Sequence, residues 1–455
     1  MTHQRFVSLV AGTIVASAAF GAYGVSVVPL VASAAPPVAA DATAVLHWNQ
    51  VAATTLAAVP GPNGGAPPAF QINMGMTQGA VYDAVNAIGP KQHQPYLLDK
   101  RFGAKASVEA AVATAAYDVL AALVSSAPER APFPGRAALL AGLATEYATS
   151  LDAVADGPFE KQGVAAGHAA ASAMLEARVD DGRFGESQWV PDTSPGHWWP
   201  LLNAQGQPIL DPTPWAGGVE PFLIESQSQF RTEPPPALDS DAYAAEVNEV
   251  QALGRATGST RTEHQTYVAK WWQSAPILSW NEVSRQLIER NELTAADSAR
   301  LLALQNLSGA DAAINCWNDK YFYDFWRPWN SIPRADEDDN PATIAEPGWT
   351  ALITAPYPDT PSGHNCLDAA HVTVMRMFFG DVIEGGFQIT SLSALLTAAE
   401  PKVRTFDSFS QPLGELIDAR IWAGLHYRFA DVQGQLLGAN VANYGAANYF
   451  QAVGR

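Results

Sequence analysis

The sequence predicts an all-α protein, and three observations carry that expectation. Runs rich in Ala and Leu recur at 107–125, 136–153, 163–178, 241–257, 262–274 and 294–326. Ala is the strongest helix former, and runs of this length exceed ordinary strands. Prolines and glycines punctuate the gaps between the runs. No regular apolar–polar alternation points to a sheet, and no solenoid-type repeat is found. Composition agrees with a packed chain, with 48% hydrophobic and 16% charged residues among 455.

The elements follow in chain order. Residues 1–40 read as an export signal and not as fold. Arg5 gives a positive start, Phe6–Ala34 carries no charge, and small residues close the run at Ala32-Ser33-Ala34. The same run is long enough to serve as an uncleaved membrane anchor. No later stretch reads as long and apolar enough to span. The expected location is therefore secreted or periplasmic, with no stable membrane association after cleavage. Residues 41–455 are expected to form one large helical domain. Its N-terminal helical half is 41–181 and its C-terminal helical half is 239–455. Between them lies a Pro/Trp-rich connector, 182–238, with little helical period. A loop of that length in a compact domain is usually functional, so it is expected to pack across a site. Thr294 and Asp297 have the spacing of a helix start.

Charge narrows the function classes. Lys and Arg total 26 against 45 Asp and Glu, a formal charge of −19. That balance argues against nucleic acid as a partner, because binding it needs a basic face. Two cysteines exclude a disulfide-dense scaffold and a Cys-only zinc site.

Three motifs in the C-terminal half carry chemistry. In Lys320-Tyr-Phe-Tyr-Asp-Phe-Trp-Arg327-Pro328 the two cations fall seven apart, two helical turns, with Pro328 ending the helix near Arg327. Each could instead be a surface cation on an aromatic helix. Pro361-Ser362-Gly363-His364 follows a proline-rich loop and precedes a helix-like run from Leu367 to Phe379. Ser362 and Gly363 then sit at a helix N-terminus, where free N–H groups and the dipole favour an anion. The bland alternative is a Ser cap beside an incidental His. Arg420-Ile-Trp-Ala-Gly-Leu-His426 adds a bidentate cation and a second imidazole. In combination they supply three cations, a backbone nest, a hydroxyl and two imidazoles, a set suited to a tetrahedral or trigonal-bipyramidal oxyanion.

On these motifs the chain resembles the vanadium-dependent haloperoxidases and type-2 phosphatidic acid phosphatases. The likeness extends upstream through Gln78-Gly-Ala-Val-Tyr-Asp-Ala-Val-Asn-Ala-Ile88 and through the Trp-rich middle. It implies the helical-bundle fold of vanadium chloroperoxidase and the type-2 acid phosphatases. It implies vanadate as cofactor, with Lys320, Arg327, Arg420, Ser362 and Gly363 binding its oxygens. His364 would be the acid–base group and His426 the ligand to the metal. Hydrogen peroxide and halide would be substrates, and hypohalous acid the product. The same residues suit an acid phosphatase, with His426 attacking phosphorus and His364 protonating the leaving group. A decayed oxyanion-binding relative is the third reading.

Departures from the family pattern fall in the last motif. Ala419 replaces a usual Ser before Arg420, and Ala430 replaces the usual Asp four residues after His426. Asp431 is next, but on a helix it would point away from His426. Asp431 could still orient the imidazole if the backbone is irregular there, or a backbone carbonyl could stand in for the missing carboxylate. Tyr357 stands seven before His364, a place the resemblance links to halide preference. With motifs one and two converging, Cys316 and Cys366 are expected to lie close and, after export, to bridge. Asp336–Asp339 reads as a solvated acidic loop, and His371 as a packed histidine.

Overall fold

The computed structural model describes residues 42–187 and 189–453; the expected export signal lies outside them. The N-terminal half contains α1 (Thr43–Ala57), α2 (Pro67–Asn86), α3 (Val108–Ser126), α4 (Arg136–Asp152) and α5 (Pro158–Ala177). After the connector come α6 (Asp241–Leu253), α7 (Glu263–Trp271), α8 (Pro276–Arg290), α9 (Ala295–Tyr323), the single turn α10 (Pro328–Ser331) and α11 (Gly363–Phe379). Strands β1 (Val382–Thr390) and β2 (Val403–Ser408) follow, then α12 (Ser410–Trp422) and α13 (Arg428–Asn448).

The molecule is built around α9. Thr294 caps it by accepting from the Asp297 amide at 3.1 Å, as the sequence spacing predicts. Almost every residue from Leu301 to Cys316 is buried, the mark of a helix surrounded on all sides. Helices α2, α11 and α13 pack along it, and the largest apolar core joins residues of both halves, from Val45 to Phe450. The first half of α13 approaches α11 closely. A Cβ on Gly438 would stand 2.1 Å from the Cys366 carbonyl, and one on Gly434 2.7 Å from that of Ser362. Only glycine permits this approach, and it sets the start of α11 against α13. Helix α3, contrary to expectation, is long and apolar enough to cross a membrane, but it packs among α1, α2, α4 and α5.

One hairpin departs from the helical pattern. β1 and β2 pair antiparallel, with a register shift between Val382 and Phe387. Gly385 and Gly386 lie inside the shift at φ +74° and +66°. The irregularity breaks the two-residue alternation, which is why the strand was not legible in the sequence.

The connector is strapped to one face of α9 by buried carboxylates. Asp311 accepts the amides of Phe222, Leu223 and Ile224 at 2.6–2.9 Å. Asn315 accepts from Phe230, and Asp319 from Thr232 and Arg231. Residues 311, 315 and 319 are spaced by four, so they form one stripe. In return, Asp211 of the connector accepts from Trp317 Nε1 and Tyr321 Oη at 2.9 and 2.7 Å. The connector therefore covers the segment that carries Lys320.

Candidate oxyanion site

The three motifs converge. Lys320 lies in the last turn of α9, and the helix ends at Tyr323 with Asp324 left-handed at φ +48°. Arg327 is thus not on the same helical face as Lys320. It sits in extended backbone at the start of α10, turned back by the Asp324 reversal. Ser362 and Gly363 do mark a helix start, because α11 begins at Gly363. The Ser362 side chain makes no capping bond, so its hydroxyl is not spent as an ordinary cap. Arg420 lies near the end of α12, and His426 in the loop before α13.

Six of the seven predicted residues are withdrawn from bulk water, and the seventh, His364, is half-buried. Lys320, Arg327 and Ser362 are fully buried; Arg420 and His426 are 3% and 1% exposed. Gly363 is buried and His364 only partly so. Lys320 Nζ donates to the carbonyls of Pro358, Asp359 and Pro361 at 2.6–3.0 Å. Arg327 donates through Nε to Tyr357 O at 3.0 Å and through Nη1 to Leu425 O at 2.6 Å. Its Nη2 has no hydrogen-bond partner among the described residues, nor do Arg420 Nε and Nη1. An unpaired buried donor costs about 1–3 kcal/mol, more when charged, so a cluster of them implies a missing acceptor. Gly363 brings its amide into the same place, and a Cβ there would meet the Trp317 ring at 3.1 Å.

Electrostatics point the same way. Burial first, then neighbouring cations, hold both imidazoles well below the usual histidine range. Burial and Arg327 bring Lys320 down to about 8, and burial lowers Arg420 to about 10. Positive groups that disfavour one another in a dry pocket are the complement of a multiply charged anion. Tyr357 roofs the cations, its ring centroid 5.2 Å from Lys320 Nζ and 5.3 Å from the Arg327 guanidinium carbon. His364 Nε2 lies 3.3 Å from the Ser274 carbonyl.

Sequence reasoning missed Asp359. Its carboxylate is fully buried, with Oδ1 3.0 Å from His426 Nδ1 and 3.6 Å from Arg327 Nη1. Burial raises its pKa to about 7, against the pull of Arg327 and Lys320. The available signal was an acidic residue inside the proline-rich approach to His364. Asp431 does not take the expected place, because its Oδ1 accepts from Asn365 Nδ2 at 2.8 Å. The helical argument about it fails, since His426 precedes α13. The expected disulfide is also absent: Cys316 and Cys366 are free buried thiols. They do lie near each other, with Cys316 Sγ turned to Pro361 O at 3.6 Å. His371 is packed, donating through Nε2 to Gln71 Oε1 at 2.8 Å. In the acidic run, Asp338 is buried against Thr343, and its neighbours Asp336, Glu337 and Asp339 are exposed.

Residues 300–454 match the family model of the VCPO second helical-bundle domain. Vanadium chloroperoxidase of Curvularia inaequalis is 25% identical over 201 residues, 35% of this chain and 32% of its own length. The match thus spans about a third of that relative. Among solved structures, the first bacterial vanadium-dependent iodoperoxidase superposes with a TM-score of 0.70 at 20% identity, covering 93% of this chain and 100% of the other. A holo-type bacterial vanadium-dependent chloroperoxidase gives 0.66 at 16% identity, covering 86% and 93%. The architecture is the vanadium haloperoxidase helical bundle.

Proposed function

We propose that this chain, a member of the vanadium haloperoxidase and type-2 phosphatidic acid phosphatase superfamily, is an exported enzyme that oxidises halide with hydrogen peroxide. The observation that carries the reading is the set of unpaired guanidinium donors on Arg327 and Arg420, facing a helix start and an imidazole in a buried pocket. That donor set fits vanadate. Arg327, Arg420, Ser362 and the Gly363 amide would hold its oxygens, Lys320 would add charge behind them, and His426 would be its ligand. When bound, vanadate supplies a Lewis acid that activates peroxide without changing its own oxidation state.

The remaining roles belong to the protein. The cations neutralise the anion, and the dry walls strengthen each contact. His364 anchors Nε2 at Ser274 O, leaving Nδ1 to take up and return a proton. Burial first, then Arg420 and Lys320, depress its pKa, and a bound anion would offset the share that comes from the cations.

The test pairs two assays on protein incubated with orthovanadate. Peroxide-dependent halogenation of a dye is followed with iodide, bromide and chloride in turn, and release from a phosphate monoester is followed with and without vanadate. The expected result is halogenation that requires vanadate and is lost in His426→Ala. Phosphate release blocked by vanadate, with no halogenation, would make the chain a phosphatase instead.

A further inference from the structure

We infer that Asp359 is the positioning residue for His426, holding Nδ1 of the imidazole so that Nε2 faces the oxyanion. The inference rests on the reading of His426 as the anchoring ligand.

Three local facts lead to it. First, His426 lies in a loop, so no residue one turn along a helix can steady its ring. Residue 430 is an alanine, and Asp431 is engaged with Asn365. The nearby Leu425 carbonyl is taken by Arg327. Second, the Asp359 carboxylate is within reach and uncommitted. Its Oδ1 stands 3.0 Å from Nδ1, within ion-pair distance, and neither oxygen makes a hydrogen bond among the described residues. Third, residue 359 is itself fixed. Its amide donates to Phe325 O at 2.9 Å, and its carbonyl accepts from Lys320 Nζ at 2.9 Å. The carboxylate is therefore tied by backbone to the segment that joins Lys320 to Arg327.

The chemistry follows from the two ring nitrogens. A carboxylate at Nδ1 favours the tautomer with the proton there, which leaves a lone pair on Nε2 for the ligand bond. Arg327 Nη1 lies 3.3 Å from Nδ1 and 3.0 Å from Nε2, and it is a donor only. Without Asp359, nothing in this set accepts the Nδ1 proton, and Arg327 competes for whichever lone pair is exposed. The same carboxylate, 3.6 Å from Nη1, draws that cation aside.

The experiment uses the full chain labelled with 15N-histidine, with the His426 signals assigned by their loss in His426→Gln. Ligand-free wild type should show Nδ1 protonated and Nε2 bare. Asp359→Ala should abolish that preference and weaken vanadate binding, measured by calorimetric titration, by about 10–100-fold. Asp359→Asn, a weaker acceptor of the same shape, should fall between them, and it carries the test if the alanine variant does not fold. Wild-type tautomer and wild-type vanadate affinity in a folded Asp359 variant would overturn the assignment. A wild type that binds neither vanadate nor phosphate would overturn the functional reading instead, while the tautomer measurement would still decide the role of Asp359.

Discussion

Two buried polar clusters share helices α9 and α11, and they have opposite characters. Toward the middle of α9, Asn306 and Asn281 exchange side-chain hydrogen bonds at 3.0 Å in both directions. Asn49 of α1 donates to Asn281, Gln71 of α2 donates to the Asn306 carbonyl, and His371 of α11 closes on Gln71. Apart from His371 Nδ1, this network is satisfied. At the end of α9 and the start of α11, Arg327 and Arg420 leave three guanidinium nitrogens unpaired. His364 and His371 sit seven residues apart on one helix, one in each cluster. The lesson is that burial of polar groups does not by itself mark a site. A network closed on itself locks helices together, whereas a network of donors lacking an acceptor is built for something else to bind.

The comparison is sharpened most by Arg420→Met. Its side chain makes no hydrogen bond at Nε or Nη1, so removing it should cost the fold little, or even raise the thermal midpoint. Vanadate affinity should drop at least about 100-fold, in line with loss of a pair of charge-assisted donors. A calorimetric titration alongside thermal unfolding reads both. Equal losses of affinity and stability would break the distinction.

The closed cluster should behave in reverse. Asn306→Leu strands the Asn281 amide and should destabilise by about 2–3 kcal/mol in urea unfolding, with vanadate affinity within about twofold of wild type.

His371 gives a pH-dependent version. Burial depresses its pKa from 6.5 to about 3. The unfolded chain takes up the proton below 6.5 while the folded protein resists it down to about 3. Stability from this group is therefore complete above 6.5 and lost as pH falls toward 3. Buried carboxylates act oppositely, since Asp368 and Asp359 are raised to about 7 and Asp311 to about 6. The histidine term is thus read as a difference: His371→Gln should close part of the gap to wild type between pH 7 and pH 4. A wild-type-minus-variant difference that stays flat over that range would show that His371 is not held neutral.

The smallest effect is expected on the connector. His197 Nδ1 holds Asp324 at 3.0 Å, but it is 44% exposed and Trp189 Nε1 holds the same carboxylate at 2.8 Å. His197→Ala should change stability by less than about 1 kcal/mol and leave vanadate affinity unchanged. A large loss of affinity would mean that the connector shapes the pocket as well as covering it.

Much of the site was legible because its chemistry is local. Pro361-Ser362-Gly363-His364 announces a helix start, and α11 begins there. Lys320, Arg327, Arg420 and His426 meet as their motifs imply, although Arg327 gets there by a reversed turn and not along a helix face. The helical runs were legible for the same reason, since propensity and length act within a window. The hairpin was not, because two glycines and a register shift erase its period.

By itself, then, the sequence determined the helical class, the three motifs and the residue types that can hold an oxyanion. Those depend on spacing along the chain and on side-chain chemistry. Only the tertiary structure decided which groups are paired and which are left over. It placed Asp359 beside His426, turned Asp431 to Asn365, kept Cys316 and Cys366 as thiols, and closed the network around Asn306 while leaving Arg420 open. Hydrogen-bond satisfaction is a property of neighbours in space, and residues 67 apart in sequence, such as His426 and Asp359, become neighbours only when α9, α11 and α13 pack.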